Sequence, residues 1–200
     1  TLLDDTAFCY HIANTMRAER HMPVMTDVEE YKSLFGFPVV DYYRRMGYTF
    51  EKESYEAISV EFLRLYAEGV HTCSLQPDAV QTIQTIRSIG IPQVLLSATG
   101  ADRLAKQAAL FHLPQYFADI SGAADNLAHG KAGQAVEMIA KRGLTPGEAL
   151  FIGDTDHDVE VARTVGCRCV LLVPGHQTRA HLEALGVPLI ETLPEVLSWL

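Results

Sequence analysis

The strongest constraint on the fold is a regular alternation of strand and helix patterns from residue 76 to the carboxyl terminus. Short apolar runs at 94–96 and 149–152 read as buried strands, and apolar residues at helical spacing follow each run. Strands joined by crossover helices form a parallel sheet with helices on both faces. The sequence therefore predicts an α/β fold that binds its ligands beyond the carboxyl ends of the strands.

The pattern sets the expected bounds of these elements. A helix begins near Pro77 and ends at Gly90, and proline or glycine ends the later helices as well. The expected strands cover 94–96, 117–120, 149–152 and 169–173, and the expected helices between them cover 101–113, 131–142 and 157–165.

The first 75 residues have a different character, with no clear buried strand and 12 of the 17 aromatic residues. Helices are expected at 7–20, 27–34, 39–46 and 52–67. Most of the aromatic side chains are expected to pack between these helices. This part of the chain is predicted to be a helical subdomain.

Composition narrows the class of protein. With 48% hydrophobic and 20% charged residues, the chain is neither disordered nor fibrous. A net charge of −9 disfavours nucleic acid and anionic membranes as partners. Because no apolar run approaches a membrane span and the start lacks a basic signal region, the expected location is cytoplasmic. The four cysteines are read as ordinary thiols and the eight histidines as structural or surface residues.

Three carboxylates lie where a strand gives way to a helix, at Asp154, Asp156 and Asp158. Helix capping explains one or two of them. Asp154 ends the strand and Asp158 falls in the first helical turn, so both are expected to point into one cleft. Like charges so close favour a cation between them, and hard oxygen ligands suit Mg²⁺.

Two further polar residues occupy similar strand-to-helix junctions. Ser97 follows the strand at 94–96, where its hydroxyl and the backbone N–H groups beyond it could bind a phosphoryl oxygen. Lys131 follows Gly130 at a helix start, where the helix dipole disfavours a cation unless a carboxylate or phosphate faces it. Taken alone, Ser97 is also explained as an ordinary turn residue, and Lys131 as a solvated surface lysine.

Together, Ser97, Lys131 and Gly153-Asp154-x-x-x-Asp158 resemble the second, third and fourth motifs of the haloacid dehalogenase superfamily. The start Thr1-Leu2-Leu3-Asp4 resembles the end of its first motif. The resemblance implies a Rossmann-like parallel core at 1–5 and 76–200 and an inserted type I helical cap at 6–75, as in phosphoglycolate phosphatase-like members.

One part of the first motif falls outside residues 1–200. The nucleophilic and the acid/base aspartates would lie four and two residues before Thr1, and Asp4 and Asp5 cannot replace them because they follow the threonine. The central strand that carries this motif is expected to be missing as well. We expect the sequence to belong to a longer protein, or else to have lost its nucleophile.

With that aspartate pair upstream, the resemblance implies a Mg²⁺-dependent phosphatase that works through an aspartyl phosphate. Asp154 would bind the metal, and Asp158 would support the metal or orient Lys131. Lys131 and Ser97 would neutralise and position the phosphoryl oxygens. The expected substrate is a small phosphorylated metabolite, and the oligomeric state stays open.

Four other functions can be compared with the sequence. A β-phosphoglucomutase would show Glu-Asp at 153–154 and a basic cap loop, where this chain has Gly-Asp and the apolar run 35–38. A dehalogenase usually lacks the Gly-Asp pair, and a receiver domain has no 70-residue helical insertion. A catalytically dead scaffold that binds phosphate or Mg²⁺ is the non-enzyme alternative. Candidates for substrate specificity are the cap residues Arg17, Arg20, His21, Arg44 and Arg45.

Overall fold

The computed structural model describes residues 1–123 and 131–200. Gly130, which precedes the candidate site residue Lys131, lies outside the described residues. Within them, no helix is both long enough and apolar enough to cross a membrane.

The amino-terminal part of the chain is helical, as predicted. Asp27 and Ser54 cap two of its helices, because their side chains accept hydrogen bonds from the backbone N–H groups of Glu30 and Ala57. The four helices are α1 (Thr6–Glu19), α2 (Val28–Leu34), α3 (Val39–Arg45) and α4 (Tyr55–Gly69).

These helices enclose a hydrophobic core of their own. Its largest fully buried side chains are Tyr31, Met16, Met25 and Ile58, and every residue of the cluster lies between positions 8 and 66. The other buried clusters draw on residue 2 and on residues from 75 onward. Separate cores support the proposed division into a cap at 6–75 and a hydrolase core at 1–5 and 76–200.

A short antiparallel pair of strands joins the two regions. Strand β1 (Leu3–Asp4) enters the helical region, and strand β2 (Ser74–Leu75) leaves it, with Leu3 paired to Leu75. The helical region is therefore an insertion whose two ends lie side by side.

The remaining residues build the α/β part, and its parallel ladders confirm the predicted fold class. Its strands are β3 (Val94–Gly100), β4 (Asp119–Ala123), β5 (Leu150–Gly153), β6 (Arg168–Leu172) and β7 (Leu189–Ile190). Its helices are α5 (Ala79–Ser88), α6 (Ala101–Leu110), α7 (Lys131–Lys141), α8 (Asp156–Val165) and α9 (Arg179–Ala184).

The parallel sheet is in two pieces. β3 pairs with β4, whereas β5, β6 and β7 form a second ladder, and no hydrogen-bonded ladder joins β3 to β5 among the described residues. Residues of β3 and of β5 both line one cavity, together with apolar side chains of the flanking helices.

The predicted end of the strand at 94–96 was wrong. The strand was expected to stop at Leu96, but β3 continues to Gly100, with a register shift against β4 between Leu96 and Gly100. The apolar run ends at Leu96, yet the backbone stays extended through an irregular segment. Ser97 therefore lies within the irregular part of β3 rather than after its end.

Candidate active site

Asp158 is held at the amino-terminal end of α8 by its backbone neighbours. Its Oδ2 accepts hydrogen bonds from the N–H groups of Asp154 (3.0 Å) and Thr155 (3.1 Å) and from the Thr155 hydroxyl (2.9 Å). These bonds satisfy backbone donors at the strand-to-helix corner. The capping that the sequence suggested for one or two of the acidic residues is carried out here by Asp158.

The second oxygen of the same carboxylate faces Lys131. Lys131 Nζ donates to Asp158 Oδ1, and both side chains are largely buried, with 12% and 4% of their surfaces exposed. The ammonium also lies 5.3 Å from the centre of the Phe151 ring. The carboxylate of Asp158 therefore faces Lys131 at the start of α7. A carboxylate or phosphate was expected there, because the helix dipole disfavours an unpaired cation at a helix start.

Asp154 is buried at the corner between β5 and α8. Only 5% of the residue is exposed, and its Oδ1 accepts a hydrogen bond from the Thr1 hydroxyl at 2.5 Å. A buried carboxylate is costly unless a cation or hydrogen-bond donors balance its charge, and hard oxygen ligands of this kind suit Mg²⁺.

Two glycines allow the aspartates to approach the backbone closely. A Cβ at Gly153 would collide with the side chain of Asp158. A Cβ at Gly175 would lie 2.6 Å from Asp154 Oδ2 and 2.7 Å from Asp154 Cβ. Any larger residue at either position would displace an aspartate of the candidate site.

The four predicted site residues all line one extended cavity, and among them the direct contacts are those of Asp158 with Lys131 and with the backbone N–H of Asp154. The cavity lining includes Ser97, Lys131, Asp154 and Asp158, which come from β3, α7 and the β5–α8 corner. The Ser97 hydroxyl oxygen accepts a hydrogen bond from the backbone N–H of Thr99 at 3.1 Å. Its own proton is thereby left for another acceptor.

The cap residues proposed for specificity lie elsewhere. Arg17 and Arg45 donate to backbone carbonyls of the cap, at Pro23 and Leu34, and Arg20 pairs with two cap glutamates. Along the described part of the chain, the cavity lining includes none of Arg17, Arg20, His21, Arg44 and Arg45.

Aromatic rings and histidines form the contact between cap and core instead. Phe37 stacks on His157 with ring centres 4.7 Å apart, and Phe35 packs on His176 at 5.0 Å. All four side chains line the cavity. The sequence showed the apolar loop at 35–38 but gave no sign of its histidine partners, which are more than 100 positions away.

Comparison with known proteins agrees with this architecture. The family of haloacid dehalogenase-like hydrolases matches residues 1–172. The chain is 26% identical to a phosphoglycolate phosphatase of Rhodobacter capsulatus over 192 residues, which cover 92% of this chain and 85% of that protein. It is 28% identical over 145 residues to phosphoglycolate phosphatase 1 of Pseudomonas aeruginosa, covering 72% of this chain but only half of that relative.

A solved structure shows the same fold. A haloacid dehalogenase-like family hydrolase from Streptococcus pneumoniae aligns with a TM-score of 0.83 and 21% identity, over 100% of this chain and 93% of the other. The alignment extends over both the helical region and the α/β part.

Proposed function

The chain belongs to the haloacid dehalogenase-like hydrolases, and on that basis we propose that it is a Mg²⁺-dependent phosphatase of small phosphorylated metabolites. Phosphoglycolate is the first candidate substrate, because relatives from two organisms are named for it. A cytoplasmic location remains part of this proposal.

The observation that carries the proposal is the Lys131–Asp158 pair beside Asp154 in one cavity. A buried ammonium with a fixed position can neutralise charge that builds up on transferring phosphoryl oxygens. Asp158 holds that ammonium, and the backbone bonds to its other oxygen keep the carboxylate in place. Of the two roles considered for Asp158, these contacts favour the orientation of Lys131.

Asp154 is the proposed Mg²⁺ ligand. Its carboxylate is buried directly after the carboxyl end of β5, where α/β folds bind ligands. Bound there, Mg²⁺ would supply charge neutralisation for the phosphoryl group. The Ser97 hydroxyl, on the β3 side of the cavity, is proposed to donate a hydrogen bond to a phosphoryl oxygen.

The proposed reaction has two displacement steps. A carboxylate, expected four residues before Thr1, attacks phosphorus, and the alcohol leaves with a proton from the second expected aspartate. Water then attacks the aspartyl phosphate, gives its proton back to that second aspartate, and releases inorganic phosphate. The proposed part of Lys131 is electrostatic, and it exchanges no proton in either step.

Hydrolysis of a panel of phosphate esters by the full-length protein, with and without a chelator, tests the proposal. Asp154→Asn removes the proposed ligand charge and should lower turnover by at least about 10²-fold, as loss of one preorganised charged contact does. Asp156→Asn is the matched control, because Asp156 lies on the same corner and pairs with His181.

Two results would count against the proposed phosphatase activity. Hydrolysis that is indifferent to the chelator and to Asp154→Asn would remove the metal assignment. Mg²⁺ binding without hydrolysis of any ester would instead favour the binding-scaffold alternative.

A further inference from the structure

Three side chains with different metal-binding atoms meet where the cap joins the core. Asp5 precedes α1, and Cys9 lies four residues later on the same helical face. His176 comes from the loop between β6 and α9. The ligand atoms of the three residues all lie within 4.8 Å of one another.

The spacing of these atoms suits a tetrahedral ion. The Asp5 Oδ1 to His176 Nε2 distance is 3.1 Å, and the Asp5 Oδ2 to Cys9 Sγ distance is 3.9 Å. Ligands that surround zinc at ~2.0–2.3 Å lie roughly 3.3–3.8 Å from each other. The two distances involve different oxygens of Asp5, so coordination requires the carboxylate to turn and the three ligand atoms to draw together from within 4.8 Å of one another.

Two tyrosines support the cluster from outside. The Tyr31 hydroxyl lies 2.9 Å from His176 Nδ1, the ring nitrogen that faces away from Asp5. The Tyr66 hydroxyl donates to Asp5 Oδ2. Histidine and carboxylate ligands of metal sites usually have outer partners of this kind, which fix the ring and the carboxylate. A hydroxyl can accept as well as donate, so the Tyr31 contact survives if Nδ1 carries the proton.

We propose that Asp5, Cys9 and His176 form a Zn²⁺ site that ties the cap to the core. A thiolate and an imidazole select zinc over magnesium. One carboxylate and one thiolate balance the two charges of the ion, so the largely buried site stays neutral when it is filled. Asp5 and His176 also line the cavity, which leaves the fourth position for water or another small ligand.

A bound ion at this site would link parts of the chain that are far apart in sequence. Asp5 belongs to the junction, Cys9 to the cap and His176 to the core, so one ion would link all three. Occupancy would hold α1 against the loop after β6. The site uses none of the residues assigned to phosphoryl transfer, and it stands or falls independently of the phosphatase proposal.

Titration of the full-length protein with Co²⁺, in saturating Mg²⁺, tests the site without an activity assay. Cobalt bound through Cys9 should give a thiolate-to-metal charge-transfer band in the near ultraviolet, which added Zn²⁺ abolishes. Cys9→Ser should lose the band, whereas Cys167→Ser, which changes a half-buried thiol outside the cluster, should keep it. Asp154→Asn should also keep it, because the proposed Mg²⁺ ligand takes no part.

A second variant separates a built site from an accidental one. Tyr31→Phe removes only the hydroxyl behind His176 and should weaken Co²⁺ affinity by about 10-fold or more. Absence of the band in folded protein, or its persistence in Cys9→Ser, would overturn the proposal. Affinity unchanged in Tyr31→Phe would also contradict the outer contact argued here.

Discussion

At the scale of single residues, Asp158 both caps helix α8 and positions Lys131. One oxygen binds the corner between β5 and α8, and the other binds the ammonium of Lys131. A side chain that only capped the helix would have no need of a buried lysine. The buried pair costs desolvation energy, so its presence beside a cavity favours a role in function over one in stability.

Replacement of Lys131 tests that role. Lys131→Ala should lower turnover about 10²–10³-fold, because removing one preorganised charge costs ~3–4 kcal/mol of transition-state stabilisation. Steady-state kinetics on the folded variant measure this turnover. Lys141→Ala, on the same helix but 64% exposed, is the matched control and should keep native turnover. Near-native turnover in Lys131→Ala would rule out the assignment.

Gly175 offers a separate test of Asp154. Because a Cβ at Gly175 would press on the Asp154 carboxylate, Gly175→Ala should weaken Mg²⁺ affinity about 10- to 100-fold, as loss of support for a metal ligand does. Calorimetric titration with Mg²⁺ checks this. Gly147→Ala should be neutral, since no described atom lies within 4 Å of its added Cβ. Equal Mg²⁺ affinity in the native protein and Gly175→Ala would show that Asp154 is not the ligand.

The positions of the candidate site residues that have a local pattern could be predicted from the sequence. Asp154, Asp158 and Lys131 stand at strand-to-helix junctions, and junctions of one parallel sheet converge at one edge. The contact between Phe35 and His176 joins residues 141 positions apart and has no local pattern. The same holds for His176 and Asp5, which is why the histidines gave no ligand spacing.

At the scale of elements, apolar periodicity located the helices and most strands to within a few residues. Expected helix 157–165 is observed as Asp156–Val165, and expected strand 169–173 as Arg168–Leu172. The strand after residue 116 begins at Asp119 instead, because Pro114–Tyr116 forms a 3₁₀ turn first. The sequence signal for a strand was an apolar run, so extended backbone in a segment without large apolar residues, as at 97–100, gives no such signal.

An ion pair between two elements predicts how stability depends on pH. Asp119 at the start of β4 binds Lys141 Nζ at 2.9 Å and also Arg142, and the Lys141 hydrogen bond helps to lower the pKa of Asp119. A lowered pKa in the folded state stabilises the protein above the unfolded carboxyl value of ~3.9. That contribution disappears as the pH falls through the lower folded value.

Asp119→Asn should therefore lower the urea midpoint at about pH 7, and the difference from the native protein should shrink towards about pH 3. Urea unfolding at both pH values measures it. Glu137→Gln, which changes an exposed carboxylate in the middle of α7, is the control. A deficit that stays constant with pH would mean that the ion pair contributes nothing.

At the scale of the whole molecule, the cap and the core meet around one cavity. The cap contributes Phe35 and Phe37, and the core contributes two histidines and the charged residues of the candidate site. Under the proposed function, a leaving group between them would be enclosed by aromatic surface, and its phosphoryl group would face Lys131 and Asp154. The proposed cap would thus supply apolar surface and the proposed core would supply charge.

Equilibrium binding of inorganic phosphate to the full-length protein, with and without Mg²⁺, tests the central claim most directly. The account predicts that binding requires Mg²⁺, is abolished in Asp154→Asn, and is weakened in Lys131→Ala but not in Lys141→Ala. Phosphate that binds equally well without Mg²⁺, or equally well to Asp154→Asn, would contradict it.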